Sequence, residues 1–128
     1  MAPDLGYNGG LTCALGVSDF ERSSKWYQEH LGFKLLYKVD EMGWGEFQTP
    51  VERVLLGLSQ VEKVDVKGGV TMTFGVNDID QARATLEERG IRFDGDTITI
   101  PDMVKLATFF DCDGHKLMLY QSLGDTPG

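Results

Sequence analysis

Residues 11–17 alternate with the two-residue period of a strand: Leu11, Cys13, Leu15 and Val17 fall on one side, and Thr12, Ala14 and Gly16 on the other. Ser18 then offers an N-cap, and Glu21 three residues on completes a capping box. The period changes to that of a helix over Phe20–Leu31, with Phe20, Tyr27 and Leu31 on one face and Gly32 placed to end it. His30 in its last turn reads as a cation that suits the helix dipole. Three more strands are predicted at Phe33–Val39, Trp44–Thr49 and Val54–Gln60. Asp40-Glu41-Met42-Gly43 supplies a hairpin turn, and Pro50 separates the last two strands.

The same order, β-α-β-β-β, then begins again. Met72, Phe74 and Val76 alternate against Thr71, Thr73 and Gly75, and Asn77 is placed to cap a helix over Ile79–Arg89. Its inner face is Ile79, Ala82 and Leu86, and Gly90 ends it. Strands are predicted at Ile91–Phe93 or Thr97–Ile100, at Leu106–Phe110 and at Lys116–Ser122, with Asp111-Cys112-Asp113-Gly114 as a tight turn. The repetition is literal in places: Thr12/Thr71, Gly16/Gly75, Val17/Val76 and Asp19/Asp78 are identical pairs 59 residues apart. Leu56-x-Leu58-x-Gln60 likewise returns as Leu117-x-Leu119-x-Gln121. Two copies of one unit imply a pseudo-symmetric architecture whose halves share a site. The expected organisation is one domain, residues 1–128, made of module one (9–64) and module two (68–123). A linker lies near Val66-Lys67-Gly68-Gly69, with loose tails at Met1–Gly10 and Gly124–Gly128.

Charge and composition narrow the function classes. Twelve basic against twenty acidic residues give a net charge of −8, which argues against a nucleic-acid partner and favours a neutral or cationic ligand over an anionic one. No apolar run approaches the ~20 residues of a membrane span. Met1-Ala2-Pro3-Asp4 has neither the basic region nor the apolar stretch of a signal peptide, so a cytoplasmic location is expected, with no membrane partner. Cys13 and Cys112 form no C-x-x-C pair and read as structural thiols, although sequence alone leaves a disulfide open.

A doubled β-α-β-β-β unit of this length resembles the vicinal oxygen chelate superfamily, which includes glyoxalase I, bleomycin-resistance proteins and extradiol dioxygenases. The pieces that carry the resemblance are Val17-Ser18-Asp19-Phe20-Glu21-Arg22-Ser23 leading to Trp26-Tyr27 and Leu31-Gly32-Phe33, and the Asp111-x-Asp113-Gly114 turn before the last strand. The resemblance implies an α+β fold in which two tandem βαβββ modules form curled mixed sheets around a cavity, often in a homodimer. It also implies a divalent metal held by a His on each module's first strand and a Glu on each module's last. Those places are Thr12 and Thr71, and Gly57 and Met118, in this chain. None of the four is a usual ligand for Zn²⁺, Ni²⁺ or Fe²⁺. No metal and no other cofactor is therefore expected, and the metal-assisted proton transfer of the glyoxalase type loses its carboxylate.

The remaining candidates are binding residues. Small and hydroxylated positions on the sides of the first strands away from the helices (Thr12, Thr71 and Thr73) leave volume and can orient a ligand. Met118 and Tyr120 share the face of the missing carboxylate, and Trp44 and Phe47 are expected near the mouth of the cavity. The Pro101-Asp102-Met103-Val104 segment reads as a bordering flap. For catalysis only Glu46, sharing alternation with Trp44, and His115, expected near solvent, present themselves. The Asp111-x-Asp113-Gly114 turn is not a calcium loop, since Lys116 and Ser122 stand where an EF-hand needs Gly and Glu. The leading reading is thus a metal-independent binder of a partly apolar, planar small molecule, resembling bleomycin-resistance proteins. The alternatives are a lyase, isomerase or dioxygenase relative with a non-standard active site, and a dimeric scaffold with no ligand.

Overall fold

The computed structural model describes residues 3–6, 8–68 and 70–124. The predicted loose tails and the linker glycine Gly69 fall wholly or partly outside that range. The described elements run β1 (Leu11–Val17), α1 (Phe20–Leu31), β2 (Lys34–Val39), β3 (Trp44–Gln48), β4 (Val54–Gln60), β5 (Thr73–Gly75), α2 (Ile79–Glu88), β6 (Ile98–Ile100), β7 (Val104–Phe110) and β8 (Lys116–Ser122). They fall into two compact units, Met1–Val64 and Asp65–Gly128. Each is a four-stranded mixed sheet with one helix. The orders are β1-β4-β3-β2 and β5-β8-β7-β6, with the first pair of each parallel and the rest antiparallel.

In the first unit, alternation decides which side of the sheet meets α1. Val17, Phe47, Leu56 and Leu58 are fully buried, as is Tyr27 on the helix. The Phe20 and Phe47 rings lie 6.3 Å apart, and Tyr27 and Phe33 5.7 Å apart. Phe33 therefore packs under the helix just before β2 begins, rather than within the strand. Burying each such side chain contributes roughly 1.5–3 kcal/mol. Lys38, on the helix side of β2, ties Glu21 of α1 at 3.1 Å and Asp40 at 3.6 Å. Its hydrogen bond to Glu21, then the charge of Asp40, hold its amine above the usual lysine range. The second unit repeats the plan. Ile79 and Leu86 of α2 bury against Ala107, Phe109, Leu117 and Leu119, with Ile91 and the half-buried Phe93 closing the edge.

Both helices begin where expected, at Phe20 and Ile79, but the capping residue differs by one position in each unit. Asp19, not Ser18, is the N-cap of α1, its carboxylate accepting the Arg22 N–H at 3.1 Å; Asp78, not Asn77, caps α2 through the Gln81 N–H at 3.1 Å. A carboxylate at this position satisfies an otherwise unpaired amide and also complements the positive end of the helix. The repeated glutamines satisfy a further amide in each helix. Gln60 accepts the Phe20 N–H at 2.8 Å, and Gln121 the Ile79 N–H at 2.9 Å. The identical Asp19/Asp78 and Gln60/Gln121 pairs thus stitch each helix start to its own sheet.

Three further differences are local. β5 is only three residues long, because Thr71 has left the ladder even though the Met72 carbonyl still accepts the Met118 N–H at 3.0 Å. Of the two predicted sites for the next strand, 98–100 forms β6, while Phe93 makes a single bridge to Phe109. The expected flap at residues 101–104 is the tight turn of the β6–β7 hairpin, closed by Met103 N–H to the Ile100 carbonyl at 3.0 Å, and Val104 already belongs to β7.

Candidate functional site

The first sheet has a side that no helix of its own unit covers. One row across it reads Ala14, Gly57, Glu46, Tyr37, and the next reads Gly16, Ser59, Trp44, Val39. Tyr37 reaches this side because of a bulge at Leu36. Leu35 pairs with Phe47 on the helix side, and the irregularity shifts the register so that Tyr37 pairs with Glu46. Strict alternation from Leu35 would have put Tyr37 on the helix side, so sequence reading missed it.

These side chains form one hydrogen-bonded array. The Trp44 indole N–H donates to the Tyr37 hydroxyl oxygen at 3.2 Å, the Tyr37 hydroxyl donates to Glu46 Oε1, and the Thr12 hydroxyl lies 3.2 Å from Glu46 Oε2. Gly57 makes the array possible. Its missing side chain lets Thr12 of β1 and Glu46 of β3 meet over the intervening β4. The vacated space is taken by the Trp44 ring, whose Cζ2 would lie 2.8 Å from a Cβ built on Gly57. Every donation in the array runs toward Glu46, which is half-buried and still has acceptor capacity on both oxygens.

The second sheet offers a different surface on the corresponding side. Thr73 pairs with Met118 and Met118 with Thr108; Gly75 pairs with Tyr120 and Tyr120 with Leu106. Tyr120 folds over Gly75, its Cζ and hydroxyl oxygen each 2.8 Å from where a Cβ would stand. The small residues at Gly57 and Gly75 therefore make room for an aromatic ring of their own sheet rather than leaving an open void. At the ends of β5 and β8 an open recess of about 370 Å³ is lined by Gly75, Val76, Asn77, Tyr120, Gln121 and Ser122. Thr71 lies exposed just before β5, its carbonyl accepting the Thr73 hydroxyl at 3.2 Å.

Two expected site residues are elsewhere. Phe47 is fully buried against Phe20 on the helix side, because it alternates with Trp44 and Glu46 on β3. It belongs to the core, not to a cavity mouth. His115 is not near solvent: it is 7% exposed, and its backbone closes the turn, with its N–H donating to Asp111 Oδ1 and its carbonyl accepting the Asp111 N–H, both at 2.9 Å.

The metal that the family resemblance implies does not fit the residues present. In the first unit Thr12 directs its hydroxyl to Glu46, and Gly57 lies beneath the Trp44 ring. In the second, Thr71 is outside the strand and Met118 presents a thioether, a poor partner for hard or borderline cations. Among the described residues, no three His, Cys, Asp or Glu side chains gather as a metal site would require. Protein loaded with Zn²⁺, Ni²⁺ or Fe²⁺ and then dialysed is expected to retain well under one equivalent. A stoichiometric ion lost in Thr71→Ala or Thr12→Ala would contradict this.

Among the described residues no helix is long and apolar enough to cross a membrane. No curated protein sequence matches the chain at a significant level. Solved structures do. A member of the glyoxalase/bleomycin resistance protein/dioxygenase superfamily from Sphaerobacter thermophilus DSM 20745 is similar at 24% identity and a TM-score of 0.77, covering 94% of this chain and 100% of that one. TnmS3, an antibiotic binding protein from Streptomyces sp. CB03234, is similar at 25% identity and a TM-score of 0.75, with coverage of 92% and 98%. A glyoxalase/bleomycin resistance protein from the same Streptomyces strain is similar at 28% identity and a TM-score of 0.66, with coverage of 86% and 97%. The family model itself matches residues 11–119, nearly the whole doubled unit. The chain belongs to the Glyoxalase/Bleomycin resistance protein/Dioxygenase superfamily.

Proposed function

We propose that the chain is a metal-independent small-molecule-binding protein of the bleomycin-resistance type, which sequesters or carries a partly apolar, planar ligand. The observation that carries this reading is the array on the helix-free side of the first sheet. There Trp44 is held by its own N–H, so its ring is a fixed platform beside the hydrogen-bonding groups of Thr12, Tyr37 and Glu46. A rigid aromatic beside a few placed polar groups is the usual composition of a small-molecule site. In the second unit Thr73, Met118 and Tyr120 supply an adaptable, uncharged surface on the corresponding side of its own sheet. Similarity to an antibiotic binding protein at 25% identity supports the class of function without naming the ligand.

An enzymatic reading also has one specific observation behind it. The Tyr37 hydroxyl on the Glu46 carboxylate would serve as an acid–base pair in a metal-free isomerase or lyase. Native mass spectrometry of gently purified protein separates the two readings. A binder is expected to carry an intact copurified molecule in stoichiometric amount, whereas turnover of that molecule into a new mass on incubation would favour the enzyme.

We further propose a homodimer. Each sheet leaves edge strands unpaired within its unit, and Ile98 on β6 is 61% exposed. Light scattering at micromolar concentration is expected to report twice the 14.2 kDa chain mass, and a lone 14.2 kDa species would contradict it.

A further inference from the structure

Resting on the binding reading above, we infer that Glu46 selects the ligand by charge: the site takes a planar cation that donates N–H groups, such as an aromatic amidine, guanidine or protonated amine. The direction of the hydrogen bonds carries this. Trp44 gives its N–H to Tyr37, Tyr37 gives its O–H to Glu46, and Thr12 is aligned to give its own to the other carboxylate oxygen. A chain of donations that ends on a carboxylate leaves unused acceptor capacity at Glu46. Each of its oxygens has one O–H partner and room for a second. An incoming N–H donor completes that shell, whereas a ligand carboxylate or phosphate meets like charge.

The surroundings sharpen the preference. In its own row and the next, the neighbours of Glu46 are Ala14, Gly57, Tyr37, Trp44 and Ser59, none of them cationic. The row on its other side reads Thr12, Leu55, Gln48 and Lys34, whose one cation stands exposed on the edge strand and forms no ion pair with Glu46. Lys38, the basic residue next to Tyr37 in the chain, is turned to the other side of the sheet, where Glu21 and Asp40 hold it. Trp44 stands two residues from Glu46 on the same side of β3, so a flat cation has a ring to stack on while its N–H groups reach Glu46. Tyr37 and Thr12 hold the carboxylate in place, and a preset acceptor loses little freedom when the ligand arrives.

Three probes sharing one ring system and differing in charge provide the test: 2-naphthamidine, 2-naphthamide and 2-naphthoate. Calorimetric titration of the full chain is expected to rank them in that order, the amidine binding at least about tenfold tighter than the amide, as expected for a charge-assisted hydrogen bond. Glu46→Gln should bring amidine and amide to within about twofold while circular dichroism and melting temperature stay unchanged. Glu46→Asp, which keeps the charge, should retain a preference for the amidine. Equal binding of amidine and amide by the unaltered protein would overturn the charge inference and leave the binding reading standing. An unchanged preference in Glu46→Gln would also overturn it. Failure of all three probes to bind at millimolar concentration would overturn both.

Discussion

Truncating Phe47 to alanine is expected to lower the unfolding free energy by about 3–5 kcal/mol, the range for deleting a buried aromatic ring. Phe47 has no exposed surface, and its ring packs 6.3 Å from that of Phe20, the first residue of α1. The cavity would open where the helix meets β3 and β4, between fully buried Leu56 and the Phe20 ring. The Phe20 ring already lies against Gly45 and the Trp44 ring against Gly57, so the sheet there has little freedom to collapse into the void. A small domain has only about 5–15 kcal/mol of stability to lose, so the variant should be close to unfolding at 37 °C. Urea denaturation followed by circular dichroism is the measurement, read as a midpoint shift at constant slope. A loss below about 1 kcal/mol would mean that Phe47 is not in the core.

Replacing Trp44 by alanine is expected to do the reverse. Trp44 is half-exposed and leans on Gly57 and Tyr37 rather than on the helix. Its removal should cost about 1 kcal/mol of stability, as for a substitution outside the buried core. Affinity for a planar ligand should fall by tens of fold, since stacking on an aromatic side chain contributes roughly 1–3 kcal/mol. Trp44→Phe keeps a ring but loses the N–H to Tyr37, so it should fall between the two. Titrating 2-naphthamidine against each variant gives the comparison. Unchanged affinity in Trp44→Ala would remove the platform from the site. The opposite responses of Phe47 and Trp44, three residues apart on one strand, follow from the period of two that puts them on opposite sides of β3.

That same period explains why the frame is readable from the sequence and part of the site is not. α1 and the strands β1, β4 and β8 have the bounds expected from the sequence, because amphipathic alternation and the repeat at a fixed offset both report burial against a helix. The caps fall one residue later than expected because Ser18 and Asn77 are as good cap residues by type as the aspartates that follow them; only the geometry of the turn decides between them. Tyr37 escapes a sequence reading because a bulge is a break in period, and nothing in Lys34–Val39 announces one. Phe47 is close to Trp44 and Glu46 in sequence, but the strand period separates it from them in space. Glycine is ambiguous in a different way. A small residue on a sheet face reads as volume for a ligand, but at Gly57 and Gly75 it is volume for Trp44 and Tyr120. The signal that would have found this is the pairing register, which puts Trp44 beside Ser59 and Glu46 beside Gly57.

The most direct measurement of the binding surface is a ¹H–¹⁵N NMR titration of the full chain with 2-naphthamidine, observing backbone amides and the two indole N–H signals of Trp26 and Trp44. The Trp44 indole and the amides of Thr12, Tyr37, Glu46 and Gly57 are expected to shift together and saturate at one ligand concentration. Trp26, packed against Tyr27 and His30 on α1, should stay still. Shifts centred on Trp26 and the α1 surface, with the Trp44 indole unmoved at saturation, would contradict the assignment of the helix-free side of the first sheet as the binding surface.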